Sequence, residues 1–299
     1  MLIPVWLGAI FVTFTLMYIS PGCPAQAVLG EGASIEAIAA ERTRMGLDDP
    51  FVVQFVRYVG NVVQLDFGNS FVSRRPVFTE IIARFPTTAQ LAGLSVITAL
   101  LIGIPLGIIS ATRQYSIFDG GATFIGLLGV SIPNFWLGMI LILFFAVNLD
   151  LLPATGWMSR PGDWILPTFT LGASAAAIIM RMTRSSMLEV VRQDYIRTAR
   201  AKGQTEFKII TRHALKNALI PVTTVAGLQF GFLLGGAILT ETIFAIPGVG
   251  RYMFQSIQSR DHPVVLGVVL LIAITFSVVN LLVDILYSFI DPRIRSQYK

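Results

Sequence analysis

The side chains that could act as catalysts or metal ligands are few in this chain. There are two histidines, His213 and His262, far apart in sequence, and a single cysteine, Cys23. A serine hydrolase needs a serine beside a histidine, and an acid pair needs two carboxylates in one buried place, whereas only Asp284 lies inside an apolar run. One cysteine forms neither an internal disulfide nor a cysteine-based metal cluster. We therefore expect no catalytic residue, no metal site and no enzyme activity in this chain.

Nucleotide binding has its own sequence pattern, and this chain lacks it. A phosphate-binding loop needs a glycine-rich turn that ends in Gly-Lys followed by Ser or Thr, because backbone amides and the lysine hold the phosphates. The dipeptide Gly-Lys does not occur in this sequence. We therefore expect the chain to hold no ATP in this way and no cofactor of its own.

The composition indicates an integral membrane protein. Of the 299 residues, 54% are hydrophobic and 13% are charged, whereas soluble domains carry about 25% charged residues. This excludes a soluble enzyme, a soluble binding protein and a disordered chain, since each needs more polar surface. The net charge of +5 fits basic cytoplasmic loops, so we expect no nucleic-acid partner.

Six apolar segments predict an all-α integral membrane protein with about six transmembrane helices. Each is close to or above the length of about 20 residues that crosses a bilayer. The first is also readable as a signal peptide, although no basic residue precedes it. Pro105 and Pro133 fall within the second and third segments, where we expect kinks or locally freed backbone carbonyls. The segments are 2–19, 87–112, 121–148, 164–183, 218–240 and 263–290.

The distribution of basic residues predicts that both termini face the cytoplasm. With the N-terminus inside, nine Lys and Arg lie between 181 and 216, whereas the short outer loops carry only Arg160, Arg251 and Arg260. Short cytoplasmic loops are rich in Lys and Arg. We therefore predict one membrane domain over 1–299, with an external helical region at 20–86 and a cytoplasmic loop at 184–217. Within the external region, 34–45 and 50–65 have helical spacing.

Two groups of glycines predict close helix packing. Gly103 and Gly107 form one G-x-x-x-G pattern, and Gly227, Gly231 and Gly235 form two in series. Such patterns let helix backbones approach closely. The second group fits packing within the chain and packing across a dimer equally well.

The loop at 184–217 has the pattern of helix, glycine and helix. Residues 186–201 are good helix formers, and Gly203 suits a helix stop. A second helix is predicted to begin near Thr205, with Glu206 in its first turn, where an acid is favourable. A loop that only carried positive charge would be shorter, so this one predicts a docking surface.

At this loop the sequence resembles the ABC-importer permeases of the dipeptide, oligopeptide, glutathione and nickel group. The resemblance implies a type I ABC-importer permease fold in the plasma (inner) membrane. It also implies a pathway-forming subunit that imports di- or oligopeptides or glutathione, and 73–77 and 227–236 look more like the glutathione and dipeptide members. The resembling stretches are 195–203 and 212–221, with 46–50, 66–70, 130–136, 152–153, 241–251, 260–264 and 291–295.

Two other functions remain open. A nickel importer of the same family shares several of these stretches. A stand-alone secondary transporter belongs to a different class and would need buried charge pairs, which the sequence does not indicate.

The resemblance implies that the chain works in a complex. The implied partners are a second homologous permease, two ABC ATPase subunits that bind ATP and Mg, an external solute-binding protein, the lipid membrane and a peptide-like substrate. The loop would contact an ATPase and pass on its movement. The coupling residues would be Tyr195, Arg197, Thr198, Ala199, Arg200, Ala201, Lys202, Gly203 and Glu206.

The sequence departs from the family pattern at two places. The general importer motif begins with Glu where this chain has Arg197, so we expect no carboxylate role there. Relatives usually carry a basic segment before the first span, whereas here Met1 leads almost directly into the apolar run.

A second set of residues follows the fifth span on the expected outer side. We expect it to form an external gate or a dock for the binding protein, and we expect turns at Pro247, Gly248 and Gly250. Its members are Glu241, Ile243, Phe244, Pro247, Gly248, Gly250 and Arg251.

Overall fold

The computed structural model describes residues 2–20, 22–30 and 32–290, and every regular element in these ranges is a helix. Two π-helical segments, Ile142–Asn148 and Ile209–Ala214, continue α7 and α10. The helices are α1 Leu2–Ile19, α2 Pro24–Leu29, α3 Ile35–Arg44, α4 Phe51–Val63, α5 Val77–Thr112, α6 Ile117–Ser131, α7 Asn134–Leu141, α8 Ile165–Val191, α9 Asp194–Ala201, α10 Glu206–Lys208, α11 Leu215–Gly236, α12 Ile238–Ile243, α13 Val249–Gln258 and α14 His262–Ile290. The all-α prediction is confirmed.

The chain forms two compact units. The first contains the described residues up to Ala89 together with Ala245–Ser277, and the second contains Gln90–Phe244 and the described residues from Val278 onward. The long helices α5 and α14 each contribute to both units.

The first unit is built around α1, α4 and the beginnings of α5 and α14. The predicted helices at 34–45 and 50–65 correspond to α3 and α4. On α4 the aromatic rings of Phe51 and Phe55 lie edge-on to Phe14 of α1, with ring centroids 5.4 and 5.5 Å apart. Since aromatic pairs prefer such edge contacts, they hold α4 against α1.

Helices α5, α6, α8 and α11 form the centre of the second unit. Along α8, half of the helix is buried, including Thr170, Leu171, Ala175 and Ile179. A helix buried on most of its circumference must contact several neighbours, and α8 packs against α6, α7 and α11. Helix α8 is therefore the central helix of this unit.

Four helices in the described ranges are long and apolar enough to cross a membrane. They are α5, α8, the continuous run Glu206–Gly236 and α14 as far as Leu286. Helices α6 and α7 are long and apolar enough only when taken together, and they are bent by 103° at their junction. The remaining apolar segment forms α1, whose apolar run Pro4–Ile19 is shorter than a membrane span.

The two prolines that were expected to interrupt their segments differ from each other. At Pro133 the third segment is broken, as expected, because Ile132 leaves the helix with an extended backbone. Pro105 lies within the continuous helix α5. Pro221 likewise lies within α11.

The glycines on α5 bring its backbone close to α8. A Cβ atom placed on Gly103 would lie 2.6 Å from the carbonyl oxygen of Ala176, and one on Gly107 would lie 2.7 Å from that of Met180. The approach is mutual, since a Cβ on Gly172 of α8 would lie 2.6 Å from the carbonyl oxygen of Ser95. No side chain fits at these three positions.

The second group of glycines divides between different environments. A Cβ on Gly227 would overlap Val283 of α14. Gly231 is buried, whereas Gly235 is partly exposed. Of these three glycines, Gly227 is thus used for helix packing within the chain, whereas Gly235 is partly exposed.

Candidate functional site

The basic loop begins where α8 ends. Residues 186–201, expected to favour helix, are divided between α8 and α9, and the chain turns at Arg192 and Gln193. The carbonyl oxygen of Gln193 accepts hydrogen bonds from the backbone N–H groups of Ile196 (3.1 Å) and Arg197 (3.3 Å). These bonds start α9 in a new direction, so α9 is a separate short helix.

Gly203 ends α9 with a left-handed backbone. The backbone N–H of Gly203 donates to the carbonyl oxygen of Arg200 (2.9 Å), and that of Gln204 donates to Ala199 (3.3 Å). This pair of bonds is the Schellman arrangement that satisfies the last carbonyls of a helix. It needs the φ of +76° that Gly203 adopts, whereas a Cβ at this position would meet no atom within 4 Å. Glycine is required here for its backbone freedom, not for space.

We expect Gly203→Val to loosen the end of α9 more than Gly203→Asn does. A β-branched residue with positive φ costs about 1–2 kcal/mol, and asparagine tolerates this conformation better. Hydrogen exchange at the amides of Gly203 and Gln204 should therefore become about fivefold faster or more in the valine variant. Equal exchange in the two variants would show that the backbone conformation does not hold this turn.

The underside of α9 is anchored to the transmembrane helices. Ile196 is 0% exposed and lies in an apolar cluster that draws on α5, α8, the second π-helical segment and α11. Burying a side chain of this size is worth about 1.5–3 kcal/mol. The cluster consists of Ala111, Met187, Ile196, Ile209, Ala214 and Ala218. Movement of α9 must therefore move the ends of these helices.

The opposite face of the loop is exposed. Arg197, Thr198, Ala201 and Lys202 are all exposed, and Phe207, a residue that the sequence did not single out, is 78% exposed. An exposed aromatic residue beside basic side chains is typical of a protein-binding surface. In the sequence, Phe207 is marked only as an aromatic residue within a charged loop that also contains Tyr195.

Two side-chain contacts brace this surface. The Arg200 guanidinium donates to both carboxylate oxygens of Glu206, at 2.7 and 3.2 Å, and so bridges the turn at Gly203. This hydrogen bond raises the pKa of Arg200 above its ordinary value. Because both side chains are well exposed, the pair is worth at most about 1 kcal/mol. The hydroxyl of Tyr195 accepts from Asn217 (2.7 Å), which ties α9 to α11.

The residues predicted to form an external gate or a dock for the binding protein are divided between the two units. In the second unit Glu241 and Phe244 are fully buried, and the carbonyl oxygen of Phe244 accepts from the backbone N–H of Gly156 (3.0 Å). Ile243 is half-buried at the end of α12. Since a fully buried side chain cannot contact a partner directly, Glu241 and Phe244 support the local fold and do not form a docking surface themselves.

The other members of this set lie in the first unit. Pro247 is exposed, Gly248 directly precedes α13, and Arg251 donates to the carbonyl oxygen of Ala245 (2.7 Å). The turn expected at Gly250 is wrong, because Gly250 lies inside α13. Among Pro247, Gly248, Gly250 and Arg251, Pro247 is the residue classed as exposed.

One ion pair joins two helices of the second unit and was not indicated by the sequence. Arg184 of α8 and Asp119 of α6 form it with an Nε–Oδ1 distance of 2.8 Å, and their side chains are 29% and 7% exposed. Sequence reasoning missed this pair because its members are 65 residues apart and lie in two different predicted loops. No group of three His, Cys, Asp or Glu side chains that could hold a metal ion occurs in the described ranges.

Two family models match the chain. The model for "Binding-protein-dependent transport system inner membrane component" matches residues 103–296. The model for "Binding-prot-dependent transport system membrane comp, N-term" matches residues 2–92.

Curated relatives match over nearly their whole length. The dipeptide transport system permease protein DppB of Alkalihalophilus pseudofirmus is 46% identical, covering 99% of this chain and 97% of the relative. DppB of Escherichia coli K12 is 43% identical, covering 99% and 96%. The glutathione transport system permease protein GsiC of Salmonella paratyphi A is 45% identical, covering 98% and 96%.

Solved structures support the fold. An inward-facing form of the MetNI methionine ABC transporter matches with a TM-score of 0.57 and 21% identity, covering 71% of this chain and 96% of that one. An amino acid ABC transporter crystallised with histidines matches with a TM-score of 0.53 and 17% identity, covering 72% and 94%. At these identities the likeness concerns the fold alone.

Proposed function

We propose, from the premise that this chain belongs to the family of binding-protein-dependent transport system inner membrane components, that it forms the translocation pathway of an ATP-driven importer of di- or oligopeptides or glutathione. The observation that carries this proposal is the sequence identity of 43–46% to dipeptide and glutathione permeases over nearly the full length of both chains. The chain is therefore an inner membrane permease subunit, and the identity of its cargo is what we propose.

We further propose the composition of the complex. Family membership implies a solute-binding protein and an ABC ATPase as partners, and we add two ATPase subunits and a second homologous permease. ATP and Mg would be bound by the ATPases, and this chain would be a non-catalytic subunit. Such a subunit changes conformation and forms the route for the cargo, and it supplies no catalytic side chains.

The loop around α9 is the proposed contact with the ATPase. Its exposed face carries Arg197, Thr198, Lys202 and Phe207, whereas its buried face rests on the transmembrane helices through Ile196. A helix that is anchored on one side and exposed on the other suits the transmission of a displacement. With α9 as the contact for a cytoplasmic ATPase, we propose that both chain termini also lie in the cytoplasm and that the region 20–86 lies outside, as parts of one membrane domain.

The residues around α12 and α13 are proposed to shape the outer side of the pathway. Because Glu241 and Phe244 are buried, we assign them a supporting role, and we assign contact with a binding protein to the exposed Pro247.

The first test is to identify what accompanies this chain in the cell. We expect a tagged copy, extracted gently from native membranes, to bring down an ABC ATPase and a second permease. Absence of an ATPase, from membranes in which the tagged chain is intact and abundant, would overturn the proposal and favour an ion-driven transporter.

Cargo is tested with the purified complex in proteoliposomes. ATP-dependent import of radiolabelled dipeptides or glutathione is the expected result. Import of nickel with neither peptide accepted would keep the ABC importer and replace the cargo.

A further inference from the structure

The ion pair of Arg184 and Asp119 joins a half-buried guanidinium to a buried carboxylate that accepts four hydrogen bonds. Arg184 donates to both carboxylate oxygens, Nε to Oδ1 at 2.8 Å and Nη2 to Oδ2 at 2.9 Å. The hydroxyl of Ser110 and the backbone N–H of Tyr115 donate to the same carboxylate. Four donors thus surround Asp119, and they come from the end of α5, the turn after it and α8.

This partly buried pair contributes little to stability but fixes geometry strictly. Removing the Asp119 carboxylate from water is costly, and apolar side chains of similar size often stabilise a protein better than a buried ion pair does. A bidentate arginine and carboxylate fix distance and angle together. The pair therefore defines one position of α6 along α8, because sliding either helix would leave a charge buried without its partner.

The ion pair adjoins the anchor of α9. Ser110 immediately precedes Ala111, and Arg184 lies one turn before Met187 on α8. Ala111 and Met187 both belong to the apolar cluster that holds Ile196. The end of α5, the start of α6 and the end of α8 are thus joined to one another and to α9.

We propose that Arg184 and Asp119 are positioning residues for transport, which make α5, α6 and α8 follow the displacement of α9 as one body. This inference rests on the proposed function, in which α9 receives its displacement from an ATPase. Without the ion pair, α9 would still dock and the ATPase would still turn over, but α6 would no longer keep its place on α8. The proposal therefore predicts uncoupling instead of loss of assembly.

The test uses the complete transporter, with its ATPases and binding protein, in proteoliposomes. The variants are Arg184→Gln, Asp119→Asn and the double variant. Asparagine keeps the shape of aspartate, whereas glutamine is polar and uncharged but shorter than arginine. We expect each to copurify with the ATPase as the wild type does, and to consume about tenfold more ATP for each molecule imported. The double variant should be no worse than either single variant, since all three remove one interaction.

The matched control is Arg181→Gln, which removes the same charge from the exposed face of α8. This variant should leave the amount of ATP consumed for each molecule imported unchanged. Arg184→Lys keeps the charge without the bidentate geometry and should lie between the wild type and Arg184→Gln.

Three outcomes would overturn the proposal. One is an unchanged amount of ATP consumed for each molecule imported in all the variants. Another is failure of the double variant to assemble, because that would assign the pair a structural role only. The last is an equal effect of Arg181→Gln. Failure of the proposed function would show earlier and separately, as a wild-type complex without an ATPase.

Discussion

Replacing Gly107 by leucine is expected to remove most of the folded protein from the membrane. A Cβ at this position would lie 2.6 Å from the Cβ of Thr183 and 2.7 Å from the carbonyl oxygen of Met180. The carbonyl belongs to the backbone of α8, so it cannot rotate away as a flexible side chain would. Helices α5 and α8 would have to separate, at a cost of about 3 kcal/mol or more. The yield of monodisperse protein after detergent extraction should fall about tenfold or further.

A matched control for this variant is Gly120→Leu on α6. A Cβ on Gly120 would meet no atom within 4 Å, so the same substitution in a helix of the same unit should leave the yield nearly unchanged. Gly107→Ala should lie between the two because it adds only the Cβ. Normal yield and normal thermal stability of Gly107→Leu would contradict the close approach of α5 to α8.

Ile196→Asp is expected to abolish uptake while the protein still inserts. Ile196 is fully buried beneath α9, and a carboxylate there would face the apolar side chains of Met187 and Ile209 without a partner. Burying such a charge is so unfavourable that α9 would detach instead. Copurification of the ATPase should fall about tenfold or more, and ATP-dependent uptake should fall with it.

The conservative variant Ile196→Val separates anchoring from other effects. It removes one methylene group and should cost only about 0.5–1.5 kcal/mol, so that uptake stays close to that of the wild type. Limited proteolysis of the loop gives an independent reading, since a detached α9 should be cut faster in Ile196→Asp alone. Wild-type uptake by Ile196→Asp would contradict the anchoring role.

The features that could be predicted from the sequence are those that local residue patterns determine. Apolar runs predicted the helices, Pro133 predicted the break in the third segment, and Gly203 predicted the end of α9. Each depends on a few adjacent residues, because hydrophobic burial, proline geometry and glycine backbone freedom act locally.

The features that were missed depend on residues far apart in the chain. Nothing near Arg184 marks it as the partner of Asp119, since a pair of this kind exists only after α6 has packed on α8. The turn at Arg192 and Gln193 contains neither glycine nor proline, so no local signal separates α8 from α9. Pro105 lies within α5, which continues through it as one helix.

The glycine contacts between α5 and α8 limit how this protein can change conformation. Where two backbones approach without side chains between them, one helix cannot slide past the other, because the next larger residue would enter the gap. Shear between α5 and α8 is therefore blocked, and any opening of the pathway within this unit has to occur by rotation at a hinge. The 103° break between α6 and α7 offers such a point, since no continuous helix has to bend there.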